Sequence, residues 1–171
     1  MPRTGARFAL PLLALLLAGL SACGWQARGA RELAPELATL RLVFAPADAR
    51  LESRLRRSLS LSGVEVVERA GVYTLHVAPV PPKLRNVALD RGARSAEQEM
   101  RMELAFDLRN AEGQVVVGPR NLSASRVYAY DPNSVIAKLD EEKIIREELQ
   151  ENLLGQLLRQ LARLQLPAAP G

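Results

Sequence analysis

One cysteine and one histidine stand in a chain of 171 residues, and aromatic side chains make up only 4% of it. These scarcities exclude a good deal. The single thiol, Cys23, leaves no pairing for an intramolecular disulfide and no cysteine cluster for a metal. The single histidine, His76, lacks the partners that metal or general-base chemistry needs and reads as a polar residue on the less buried face of a strand. There is no Gly-x-Ser-x-Gly elbow either, so a nucleophile, a base and an orienting group do not assemble from this composition, and no enzyme is expected. No interval of about 20–50 residues repeats, which speaks against solenoids and propellers. No apolar run reaches the ~20 residues of a membrane-spanning helix.

What is present begins with an address. Arg3 and Arg7 precede an apolar run over residues 8–20, and small residues then lead to the cysteine in Leu20-Ser21-Ala22-Cys23. That is the layout of a secretory signal peptide, and its last four residues fit the bacterial lipobox in full. Residues 1–22 are expected to be removed, leaving Cys23 first in the mature chain with a diacylglycerol thioether and an acylated amine. This covalent lipid is the only non-protein group expected; no cofactor and no metal are implied. Gly24, rather than aspartate, follows the cysteine, and the lipoprotein sorting rule then permits release to the outer membrane, facing the periplasm. Trp25 and Arg28 lie close behind, side chains suited to a membrane interface. Losing Arg3 and Arg7 lowers the formal charge from +4 to +2, so the sequence pI of 9.7 is no argument for nucleic acid. The remaining 149 residues suit one domain, divided here into a tether over 23–38, a domain over 39–166 and a tail over 167–171.

Along the domain, Leu40, Leu42 and Phe44 share one face of a first strand over 39–44. Asp48 offers an N-cap, Leu51, Leu55 and Leu59 recur at helical spacing, and Gly63 supplies the stop. The opposite helix face carries Arg50, Arg54 and Arg57, which reads as a solvated face or as a patch for anionic lipid. Residues 64–67 continue extended into a turn at Ala70-Gly71, and Tyr73, Leu75 and Val77 then alternate as a strand. Strand, helix and strand in series imply a right-handed crossover and a parallel pair. Pro79, Pro81 and Pro82 are expected to end this strand and turn the chain out of the sheet, with a short extended piece over 83–89 and a turn at Asp90-Arg91-Gly92.

Met100, Met102, Leu104, Phe106 and Leu108 then alternate with charged residues in the best strand of the chain. A connection at Asn110-Ala111-Glu112-Gly113 leads into a returning strand, interrupted by a bulge at Gly118-Pro119, with Arg126, Tyr128 and Tyr130 on one face. Ile145, Leu149, Leu153, Leu157 and Leu161 form the stripe of a last helix over 134–164, which Asp140 could start afresh as an N-cap. The expected class is α+β in two layers: a mixed sheet of about four strands covered by two helices, in the order strand-helix-strand-strand-strand-helix.

Several stretches together carry a resemblance. Ser95-Ala96-Glu97 ahead of the long strand, the run Arg126-Val127-Tyr128-Ala129-Tyr130-Asp131-Pro132-Asn133-Ser134-Val135-Ile136-Ala137-Lys138, Glu141-Glu142 and Gln156-Leu157-Leu158-Arg159-Gln160-Leu161 resemble the LptE family of lipopolysaccharide-assembly lipoproteins. The opening Cys23-Gly24-Trp25-Gln26-Ala27-Arg28-Gly29 is similar to that family's start, with Ala27 where leucine is expected. The likeness is most specific over 126–138 and loose over 83–92. It implies a non-catalytic lipoprotein that plugs the large outer-membrane β-barrel LptD, helps the barrel assemble and binds lipopolysaccharide on its way to the outer leaflet. It also implies that Arg91 and Lys138 meet the lipid phosphates, as a bidentate fork and a point charge respectively. The most specific stretch makes Arg126, Tyr128, Tyr130, Asp131 and Asn133 candidates for the partner interface. The alternatives are a lipid-binding adaptor of another envelope complex and, with less in its favour, an envelope-modifying hydrolase.

Overall fold

A computed structural model describes residues 33–89, 95–129 and 135–166, and in it each apolar stripe of the domain becomes an element. The order is β1 (Thr39–Phe44), α1 (Ala49–Leu61), β2 (Glu65–Val67), β3 (Tyr73–Leu89), β4 (Ser95–Arg109), β5 (Val115–Ala129) and α2 (Val135–Leu161). The strands form a single sheet in the order β2-β1-β3-β4-β5. β1 runs parallel to both β2 and β3, and the long strands β3, β4 and β5 pair antiparallel. The expected α+β class and parallel pair are therefore present, with five strands in place of about four. The added strand is β2, three residues that pair with Thr39, Leu40 and Arg41 at the sheet edge.

Local chemistry accounts for α1. The Asp48 side chain accepts a hydrogen bond from the Leu51 backbone N–H at 3.0 Å, and Gly63 leaves the helix at φ +81°, where a side chain would be strained. Asp48→Ala is expected to cost about 1 kcal/mol, read as a lower denaturant midpoint at unchanged slope. A loss below a few tenths would show that the cap is dispensable.

Packing follows the two periods. Leu51, Leu55 and Leu59 of α1 and the row Ile145, Leu149, Leu153, Leu157 and Leu161 of α2 are all buried, in one cluster with Leu40, Leu42, Leu75 and Val77 of the sheet. All five apolar residues of the best strand, Met100 to Leu108, are buried in the same cluster, with Leu122 and Tyr128 from β5. The charged residues between them in β4 stay partly or fully exposed on the opposite face. Leu37, in a single 3-10 turn ahead of β1 (Pro35–Leu37), is also fully buried, so the core begins two residues before the first strand. No helix among the described residues is long and apolar enough to cross a membrane.

Two expectations are corrected. Pro79, Pro81 and Pro82 do not end the strand: β3 runs 17 residues, from Tyr73 through all three prolines to Leu89. The reason is where β1 stops. β1 pairs with β3 only as far as Phe44 opposite Val77, so beyond that point β3 has β4 on one side and a free edge on the other. A residue without an N–H is tolerated on a free edge and in bulges, and the register shift between Val80 and Lys83 absorbs Pro81 and Pro82. The second correction concerns α2, which starts at Val135 and passes through Asp140 without a break, so Asp140 sits inside the helix and not at a cap. The bulge expected at Gly118-Pro119 is present as a register shift in the pairing of β4 with β5, between Phe106 opposite Arg120 and Leu108 opposite Val117.

Candidate functional site

The residues singled out for function belong to stretches that the strand register brings to one end of the sheet. Leu89 and Ser95, which flank Arg91 in sequence, are register partners, and Ala129, which precedes Tyr130, Asp131 and Asn133, sits opposite Glu97. Those four candidates lie outside the described residues, as does Cys23. Lys138 falls in the first turns of α2, but its side chain is not among those described. Arg126 and Tyr128 remain, and both reach α2.

Arg126 leaves β5 on the helix-covered face and donates to both carboxylate oxygens of Glu148. Both side chains of the pair are about half exposed, at 52%, so the bridge contributes under ~1 kcal/mol and serves more to orient than to stabilise. Tyr128 is buried, and its hydroxyl lies 3.1 Å from Gln98 Oε1 on β4 and 3.3 Å from Glu142 Oε1 on α2. A buried phenol finds a partner for its O–H while its ring fills the core. Together the two residues tie the start of α2 to the ends of β4 and β5. Beside them Val127 and Ile144, 51% and 66% exposed, border a shallow hollow of about 590 Å³ that also includes Asp140 and Glu141. Large apolar residues that face water in a group mark an interaction surface more often than a lone one does.

The opposite sheet face has a different character. Arg85 donates to Glu99 across the β3–β4 pair, and this bond, with a second from Ser125, holds the Glu99 carboxyl below the usual carboxylate value. Lys83 pairs with Glu103 at 3.7 Å and Arg109 with Asp107 at 3.0 Å on the same face, an interleaving of charge that keeps it wet. His76 is half-buried there, opposite Val43 and Asp107. Of the four arginines on α1, Arg56 pairs with Glu52 and Glu68, Arg54 turns to Glu147 and Glu151 of α2 at 3.5 and 3.7 Å, and Arg50 and Arg57 are exposed. Among the described residues no three His, Cys, Asp or Glu side chains are placed to hold a metal.

Two residues escaped the reading of the sequence. Arg146 and Gln150, one turn apart on α2, line a groove beneath the β3 prolines. Gln150 carried a signal, since it is a polar residue three positions before Leu153 and four before Leu154, on the side of α2 that packs into the core.

The whole arrangement has counterparts among known proteins. The LPS-assembly lipoprotein LptE of Yersinia pestis (strain Pestoides F) is 25% identical over 158 residues, covering 88% of this chain and 73% of that one. Among solved structures, a minor lipoprotein of Acinetobacter baumannii is 25% identical with a TM-score of 0.62 and covers 79% of this chain and 98% of that one. A lipoprotein B of Nitrosomonas europaea shares the fold at 20% identity, with a TM-score of 0.67 over 79% of this chain and 87% of that one. The family model described as "LptE: Lipopolysaccharide-assembly" matches residues 37–161, from the buried Leu37 ahead of β1 to the last turn of α2. That span takes in the sheet, both helices and the ties between them, and the chain belongs to the LptE family of lipopolysaccharide assembly.

Proposed function

We propose that this lipoprotein is held at the periplasmic side of the outer membrane by lipid on Cys23, plugs the β-barrel LptD and binds lipopolysaccharide during its delivery to the outer leaflet. The observation that carries this reading is the family match across both layers of the fold, residues 37–161. The geometry supports a binding role. The register gathers the flanks of Arg91 and the start of α2, with Lys138, at one end of the sheet. Guanidinium and ammonium groups suit the phosphates of an acylated glycolipid. The exposed pair Val127 and Ile144 beside the Arg126 and Tyr128 ties offers an apolar patch for a protein partner, and Tyr130, Asp131 and Asn133 follow in sequence. The role is non-catalytic and uses no cofactor beyond the lipid.

Affinity purification of the full lipoprotein from its own outer membranes in mild detergent tests the partnership. A much larger β-barrel protein in near-stoichiometric amount is expected; recovery of the lipoprotein alone would refute it. Lys138→Glu and Arg91→Glu separate the two roles, since lipopolysaccharide binding should fall by about tenfold, as loss of a charge-assisted contact implies, while the barrel still co-purifies. If neither readout moves, Lys138 and Arg91 are not the phosphate contacts.

A further inference from the structure

β1 ends at Phe44 and the chain leaves the sheet at Pro46, whereas β3 and β4 continue. The uncovered flank leaves a groove of about 500 Å³ between the start of α1, the proline stretch of β3, β4 and the middle of α2. That volume lies within the range of small-ligand sites. Met100 and Met102 form its floor, and Leu51 and Leu153 are among its walls. Methionine suits such a floor because its unbranched, polarizable side chain adjusts to the shape of what lies on it. Pro79, Pro81 and Pro82 border the mouth without offering any N–H, and Leu84, 47% exposed, stands at the rim.

Four polar or charged side chains interrupt this apolar lining, and two of them, Gln150 and Arg146, are uncommitted. Gln150 is only 9% exposed, lines the groove, and its amide meets no hydrogen-bond partner among the described residues. The amide still reaches solvent through the groove, so it is a donor and an acceptor open to whatever fills it. Arg146, one helical turn earlier on the same face, is exposed at the groove and has no ion pair among the described residues. Of the two acids in the lining, Glu103 is already paired with Lys83 and Arg101, and Asp48 accepts from the Leu51 N–H as the cap of α1. The site therefore presents an apolar channel, then an amide, then a cation.

We propose that the groove takes one acyl chain of lipopolysaccharide, with Gln150 on the ester or amide that joins the chain to its sugar and Arg146 on a phosphate. This rests on the lipopolysaccharide-binding role given above, and adds a chain-binding groove set apart from Arg91 and Lys138. The hydrocarbon displaces water from Leu84 and Val80 at the rim, Gln150 exchanges water for the ester or amide, and Arg146 supplies a charge-assisted bond.

The test is photo-crosslinking of the full lipoprotein, reconstituted in phosphatidylcholine nanodiscs, with an N-acylglucosamine phosphate whose acyl chain ends in a diazirine. Label is expected on peptides containing Leu84, Met100 and Met102, and excess lipopolysaccharide should compete it away where phosphatidylglycerol does not. Leu84→Trp fills the mouth from an exposed strand position that accepts an aromatic side chain, and Arg146→Glu reverses the cation; each should cut labelling by about tenfold with the circular dichroism spectrum unchanged. Gln150→Leu, which preserves volume and the core, should weaken labelling while leaving the protein as stable as before or more so. Label scattered over the surface, or indifferent to Leu84→Trp and Arg146→Glu, overturns the groove; equal competition by phosphatidylglycerol overturns lipopolysaccharide as its occupant. Failure here with barrel co-purification and lipopolysaccharide binding intact removes the groove alone, whereas loss of those two removes the function on which it rests.

Discussion

Phe106→Ala is expected to lower the free energy of unfolding by about 3–5 kcal/mol, the range for emptying a well-packed aromatic site. Phe106 is 2% exposed, lies on interior strand β4 between Val77 of β3 and Arg120 of β5, and points into the layer shared with both helices. Its neighbours sit in paired strands whose backbones cannot close in on the void, so the cavity term adds to the lost transfer energy. Against a total of ~5–15 kcal/mol for a domain of ordinary stability, the variant is expected to be largely unfolded near body temperature. Urea unfolding followed by circular dichroism reads the change as a lower midpoint at constant slope. Val115→Ala, at an exposed site on β5, is the control and should move the midpoint by less than ~0.5 kcal/mol. A cost below ~1 kcal/mol at Phe106 would mean that the core relaxes and the two layers are not closely interdigitated.

Cys23→Ser is expected to abolish membrane attachment altogether. Serine offers no thiol for the diacylglycerol, so the variant should lose incorporation of labelled palmitate and stay uncleaved at this site. Each buried methylene of an acyl chain contributes about 0.8 kcal/mol, and a single chain holds a protein only marginally, which is why stable attachment needs more than one. Removal of the whole lipid therefore acts as a switch and not as a graded weakening. Radiolabelling and flotation of membranes on a density gradient check it. Palmitate still incorporated into the serine variant would place the lipid elsewhere and return Leu20-Ser21-Ala22-Cys23 to an ordinary signal sequence.

Much of the fold is legible because its signals are local. The alternation from Met100 to Leu108, the Asp48 cap and the leucine row of α2 each lie within one element, and each is borne out. The errors arise where a residue's meaning depends on a distant strand. Proline breaks a strand only if both neighbours are present, and whether β1 extends alongside Pro79 is decided by the chain at Phe44, about thirty-five residues earlier. β2 has no pattern of its own at three residues and exists because β1 offers it a parallel edge. At the candidate site the composition alone marks only Cys23; Arg91, Lys138 and the run beyond Arg126 enter through family likeness. The ties of Tyr128 to Gln98 and Glu142 join residues 30 and 14 positions apart, which no local period reveals.

The uninterrupted course of β3 and β4 has one more consequence, a matter of length. At roughly 3.3 Å per residue the 15 residues of β4 extend about 50 Å, well beyond the ~30 Å of a bilayer's hydrocarbon core. In the barrel seat proposed above, a sheet this long standing upright would not keep both ends at one depth. The end at Ser95 and the end at Arg109 would then occupy different surroundings. The same rigid strands that bury Phe106 would make the molecule a spacer, fixing how far apart its two working ends stand.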